Sequence, residues 1–169
     1  DDPYTTVVDE KERYLNKESI NLAQKLAEES MVLLKNKKNI LPFQSSVKKI
    51  ALIGPIAKDK ENIMGAWSFN GKATDVESIY EGLTAEFGTK IEINYSKGCD
   101  FEGTDESTFT EAVAQANNSD VIVVCLGEIK TWSGENASRS SIALPSIQEK
   151  LVQELKKTGK PIILILSSG

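Results

Sequence analysis

From residue 49 onward, apolar and polar positions alternate between two periods. Short apolar runs recur at residues 49–54 (KIALIG), 90–95 (KIEINY), 120–126 (DVIVVCL) and 161–166 (PIILIL). Their length and their β-branched residues predict four strands. Between them, residues 75–87 carry Ile79, Leu83 and Phe87 at helical spacing, and residues 107–117 carry Phe109, Ala112, Val113 and Ala116. Residues 145–157 open on Pro145, which suits the first turn of a helix. Strands alternating with helices imply an α/β fold, with a mainly parallel sheet and helices on both faces. Right-handed crossovers then gather the loops that follow the strands along one edge.

The flanks follow other patterns. Residues 1–16 are polar, with Pro3 near the start and no clear period, and they read as an extended arm or linker. A helix is predicted over residues 17–36, where Ile20, Leu22, Ala23, Leu26, Ala27, Ser30, Val32 and Leu33 form a stripe, with Asn16 or Ser19 as its cap. Leu41-Pro42-Phe43 ends this unit. At the other end the last strand runs straight into Ser167-Ser168-Gly169. So apolar a strand at a sheet edge invites pairing with other chains. The expectation is a piece of a longer polypeptide, its sheet incomplete at the C-terminus.

Composition narrows the chemistry. With 169 residues, 40% of them hydrophobic, the chain can enclose one sizeable core. A net charge of −5 with both signs interspersed argues against nucleic acid or an anionic membrane as the main partner. No apolar run approaches the roughly 20 residues of a membrane helix. The chain has no histidine, which removes Ser-His-Asp and Cys-His catalysis and the commonest metal ligand. Cys99 and Cys125 resemble no metal or redox motif, and no phosphate-binding glycine motif is present. No metal and no cofactor are expected.

Candidate chemistry collects on the strand-end loops. The strand over residues 120–126 opens into a polar loop with Glu128, Trp132, Ser133, Gly134, Glu135 and Arg139. The ends of parallel strands are where α/β proteins place their sites. Glu135, behind Ser133-Gly134, is either a general acid or a solvated surface carboxylate. Glu128 is closer to the strand; it can act as an acid, bond the loop's amides or pair with Arg139. Arg139 can bind a substrate hydroxyl or clamp the loop, and Asp100 is equally ambiguous at its own strand end. Trp67, in the loop Met64-Gly65-Ala66-Trp67-Ser68, can stack on a sugar ring or fold onto the core, and so can Trp132.

Several segments, taken in order, resemble one family. Asp1-Asp2-Pro3-Tyr4 is similar to a segment leaving an N-terminal barrel. Ala27-Glu28-Glu29-Ser30, Val32-Leu33-Leu34-Lys35-Asn36 and Ile40-Leu41-Pro42 resemble an A-x-E-S-x-V-L-L-K-N…L-P entry to a second domain. Ile50-Ala51-Leu52-Ile53-Gly54-Pro55, the Gly65-Ala66-Trp67 loop and Tyr95-Ser96-Lys97-Gly98-Cys99-Asp100 continue the match. Gly127-Glu128, Ser133-Gly134-Glu135, Ser138-Arg139, Leu144-Pro145, Gln148 and Ser168-Gly169 complete it. The chain resembles the second, α/β-sandwich domain of glycoside hydrolase family 3, the β-glucosidase and β-xylosidase family.

The resemblance implies a three-layer sandwich over residues 17–169 and an N-terminal barrel domain of the same polypeptide as partner. It implies a retaining enzyme that removes terminal β-D-glucosyl or xylosyl residues from an oligosaccharide through a covalent intermediate. The nucleophile would be an aspartate of the barrel and the acid/base Glu135, with Glu128 as the runner-up. Trp67 would line the leaving-group side and Arg139 would orient the loop or touch substrate. A periplasmic or secreted location follows from the resemblance alone. A non-catalytic carbohydrate-binding or structural module is the alternative.

Overall fold

The computed structural model describes residues 14–168; most of the arm expected over residues 1–16 lies outside the described residues. The chain divides into two compact units, residues 1–39 and 40–169. In the first, helix α1 spans Lys17–Ser30, and Asn16 caps it by accepting from the Ser19 amide at 2.9 Å. The helix predicted to run to residue 36 stops early. Met31 is extended, and the Ser30 hydroxyl donates back to the Ala27 carbonyl at 2.8 Å in the last turn of the helix. Residues 31–34 (MVLL) are apolar throughout and carry no helical period, so pattern alone extends the helix too far.

The second unit is a parallel four-stranded sheet. Strands β1 (Lys49–Ile53), β2 (Glu92–Ser96), β3 (Val121–Gly127) and β4 (Ile162–Ser167) lie in the order β2-β1-β3-β4, and every pairing is parallel. Helices α2 (Ile79–Phe87), α3 (Phe109–Asn117) and α4 (Ser146–Lys156) connect them. Strand alternation splits the core in two. Ala51, Ile53, Ile122, Val124 and Leu126 face Phe109, Ala112 and Ala116 of α3 and Ile147, Leu151 and Leu155 of α4. Ile50, Leu52, Val121, Val123 and Cys125 face the opposite way, where Ile79, Leu83 and Phe87 of α2 pack. The expected helices on both faces are thus in place.

β3 is buried along its whole length, and its neighbours show why. β1 and β4 pair on either side of it and a helical layer covers each face, so every alternate residue enters one core or the other. Burying each such Ile, Val or Leu contributes about 1.5–3 kcal/mol. The two thiols fall on opposite faces: Cys99 packs with α3 and α4, Cys125 with α2. Burial pushes Cys99 up to about 11 and Cys125 up to about 12, as expected of structural cysteines. β4 is the least covered strand, with Leu164 and Leu166 about half exposed.

Candidate active site

The parallel register sends the chain out of β1, β2 and β3 on one edge of the sheet. The loop after β3 begins with a tight stitch. Gly127 packs against β4 so closely that a Cβ there would lie 1.9 Å from the Ser167 carbonyl oxygen, and only glycine fits. The fully buried Gln148 of α4 then engages both polar groups of Gly127. Its Oε1 accepts from the Gly127 amide at 2.9 Å, and its Nε2 donates to the Gly127 carbonyl at 2.8 Å and to the Phe101 carbonyl at 2.7 Å. One side chain therefore joins the ends of two site loops to a helix.

Beyond Gly127 the loop makes a short 3₁₀ turn over Lys130–Trp132 and separates its two glutamates. Glu128 is largely buried and forms an ion pair with Arg139. The Arg139 guanidinium also donates to the Ala143 carbonyl at 3.2 Å and lies 4.7 Å from the centre of the Trp132 ring. Glu128, Arg139 and Trp132 line a cavity of about 250 Å³ with Ser141 and Ile142. Arg139 therefore holds the far end of the loop against its beginning.

Glu135 sits elsewhere. It is exposed, and among the described residues no hydrogen bond or ion pair holds its carboxylate. It lines an open cavity of about 520 Å³ with Trp67, Phe69, Lys130, Thr131 and Asn136. Trp67 is 61% exposed instead of folded onto the core, and it lies beside the still more exposed Phe69, ring centres 6.5 Å apart. The two loops meet at Gly134, whose φ of +96° suits glycine. A Cβ there would come within 2.7 Å of the Ala66 Cβ and 3.8 Å of the Trp67 indole nitrogen.

The tertiary structure thus brings Trp67 and Glu135 into one cleft and puts Glu128 and Arg139 in the neighbouring one. Asp100 pairs with Lys97 and lines neither cavity. Phe69 and Lys130 were not among the expected site residues. Phe69 stands two positions from Trp67 in a polar loop, a signal the sequence did offer; Lys130 offered none. Among the described residues no group of acidic or cysteine side chains could hold a metal ion, and no helix is long and apolar enough to cross a membrane.

Comparison with known proteins converges on one family. Residues 31–169 match the glycosyl hydrolase family 3 C-terminal domain. A β-xylosidase of Formosa agariphila is 36% identical over 152 residues, covering 87% of this chain and 21% of the relative. A periplasmic β-glucosidase of Salmonella typhimurium is 32% identical over 167 residues, covering 87% of this chain and 22% of the relative. The crystal structure of a β-glucosidase from Listeria innocua in complex with isofagomine superposes with a TM-score of 0.85 at 31% identity, over 94% of this chain and 21% of that one. The chain spans about a fifth of the length of these relatives. In sequence and in fold, the chain belongs to glycosyl hydrolase family 3, as its C-terminal domain.

Proposed function

We propose that this chain is the acid/base-bearing second domain of a retaining β-glycosidase that removes terminal non-reducing β-D-glucosyl or xylosyl residues from oligosaccharides. Glu135 is the acid/base. The observation that carries this reading is the contrast between the two glutamates: Glu135 stands unengaged in an open cleft beside the exposed indole of Trp67, whereas Glu128 is held by Arg139. The names of the relatives, β-glucosidase and β-xylosidase, support the substrate class.

In such a mechanism Glu135 protonates the departing glycosidic oxygen while a second carboxylate attacks the anomeric carbon. Glu135 then takes a proton from the water that releases the sugar. The nucleophile comes from the barrel domain of the same polypeptide. The face of Trp67 receives the leaving sugar, apolar C–H against π surface. Arg139 acts through Glu128 and Trp132 by holding the loop's shape. As Glu135 is exposed within this domain, the desolvation that would suit it to donate a proton comes from the barrel and the substrate closing over the cleft. A periplasmic or secreted location accords with the Salmonella relative.

The test is made in the full-length protein. Glu135→Ala should depress hydrolysis of cellobiose or xylobiose far more than that of a dinitrophenyl glycoside, whose leaving group needs no proton, and azide should restore turnover. Unchanged activity on the disaccharide would remove Glu135 from the role. The same pattern from Glu128→Ala alone would move the role there, and normal turnover with both replaced would leave the domain a non-catalytic module.

A further inference from the structure

A second set of contacts in the candidate active site belongs to neither glutamate. Asp59 and Asn62 lie in the loop after β1, upstream of Trp67. The Asn62 amide donates to Asp59 Oδ1 at 2.7 Å, and its side-chain Nδ2 donates to Asp59 Oδ2 at 2.6 Å. Both carboxylate oxygens of Asp59 are thereby occupied, and the orientation of the Asn62 amide group is set. Its Oδ1 faces the other loop and accepts from the Lys130 amide at 3.1 Å. The Asn62 carbonyl accepts from the Gly65 amide at 3.0 Å, which ties the same residue to the turn that leads into Trp67. Glu61 adds an ion pair to the Lys130 side chain.

The set depends on complementary donors and acceptors. The Lys130 amide needs an acceptor, the Asp59 carboxylate needs donors, and an asparagine side chain presents one of each on opposite atoms. Lys130 begins the turn that carries the loop on to Glu135, and Lys130 itself lines the cleft. Further along, Gly134 touches Ala66. The loop of Glu135 is thus fastened to the loop of Trp67 at two places, a polar one at Asn62 and a steric one at Gly134.

We propose that Asp59 and Asn62 are positioning residues: they form a strut that sets the distance between the proton donor Glu135 and the sugar platform Trp67. The proposal rests on the assignment of Glu135 as the acid/base. Neither residue touches the reacting atoms. Asn62 holds the loop by a backbone hydrogen bond, and Asp59 holds Asn62. Loss of the strut lets the loop pivot about Gly134, so the carboxyl group reaches the glycosidic oxygen less often. A displacement of about 1 Å at a reacting group can cost on the order of 100-fold in rate.

An exchange of the two side chains tests this in the full-length protein. Asn62→Asp sets two carboxylates against each other. Asp59→Asn sets a donor against a donor, whichever way the new amide is turned. The double variant D59N/N62D restores every contact with the roles reversed. The amide now at position 59 donates to the carboxylate now at position 62, whose other oxygen accepts from the Lys130 amide. Two readouts are taken. Hydrogen exchange over residues 128–137 reports the fastening without reference to activity. The ratio of kcat/KM on a disaccharide to that on a dinitrophenyl glycoside reports proton donation. Each single variant and Asn62→Ala should speed exchange in that loop and lower the ratio by about tenfold, with the double variant returning both close to the wild type.

Unchanged exchange in Asn62→Ala would overturn the strut, and so would a double variant as defective as the worse single one. Faster exchange with an unmoved ratio would overturn its role in catalysis. Should Glu135→Ala spare both substrates, the proton-donor reading falls, and the strut is still decided by exchange alone.

Discussion

Glu81 shows how a single exposed carboxylate can be tied into the fold. Lys60 Nζ lies 2.7 Å from it, and the Ser78 amide and hydroxyl donate to its other oxygen at 2.8 and 2.9 Å. The Lys60 hydrogen bond, then those from Ser78, bring its pKa from the ordinary 4.5 down to about 2. A carboxylate depressed in the folded state stabilises it above the unfolded value, and that stabilisation disappears as pH falls through the folded one. The stability lost on Glu81→Gln should therefore be constant above about pH 4.5 and should vanish toward pH 2, measured by urea unfolding across that range. A difference independent of pH would mean that the charge of Glu81 plays no part.

Gly134 makes the second prediction at this scale. An added Cβ would meet the φ penalty, about 1–2 kcal/mol, and the contact with Ala66 as well. Gly134→Ala should cost that much stability and about tenfold in turnover by the full-length protein. Wild-type turnover would show that the two loops have room to part.

At the scale of elements, the link between helix α4 and strand β3 runs through Gln148. It is polar, fully buried and completely hydrogen-bonded, so its removal leaves the Gly127 amide and two carbonyls without partners inside the fold. Each such group costs about 1–3 kcal/mol, and some relaxation is to be expected. Gln148→Ala should lower unfolding stability by about 2–4 kcal/mol, while an exposed neighbour such as Glu149→Ala should change it little. A loss under 1 kcal/mol, roughly the worth of one ordinary hydrogen bond, would show that water takes over these contacts.

The helix starts illustrate two kinds of legibility. Ser78-Ile79-Tyr80-Glu81 is a capping box, and both of its reciprocal bonds form. The apolar period alone placed that start at residue 75, where a separate 3₁₀ turn, Ala73–Asp75, stands instead. The cap was readable in the letters. The early end of α1 was less so, because it depends on a hydroxyl turning back onto its own helix at Ser30.

For the whole molecule, the proposed function implies a divided active site. One carboxyl group of a retaining pair cannot form the glycosyl intermediate by itself. The isolated 169-residue chain should leave an aryl β-glucoside or β-xyloside intact under conditions in which the full-length protein turns it over. Robust hydrolysis by the chain alone would refute the division. The sheet edge belongs to the same scale: among the described residues β4 pairs on one side only, and Leu164 and Leu166 are about half exposed beside it.

What the sequence determined by itself was periodic. Strands of period two and helices of period 3.6 expose their buried faces in the order of the letters, and parallel alternation then dictates which loops share an edge. The motifs around Trp67, Glu128, Glu135 and Arg139 pointed to the family that the comparisons show, and to loops that leave the sheet on one edge. Which of these residues share a cleft was decided only in three dimensions. Asn62 and Lys130 stand 68 positions apart, joined by one hydrogen bond with no counterpart in any local pattern. The pairing of Glu128 with Arg139, which leaves Glu135 unengaged beside Trp67, depends on how a loop folds back over a turn. Local propensity encodes the elements; contacts between loops distant in sequence exist only once the sheet has brought their ends together.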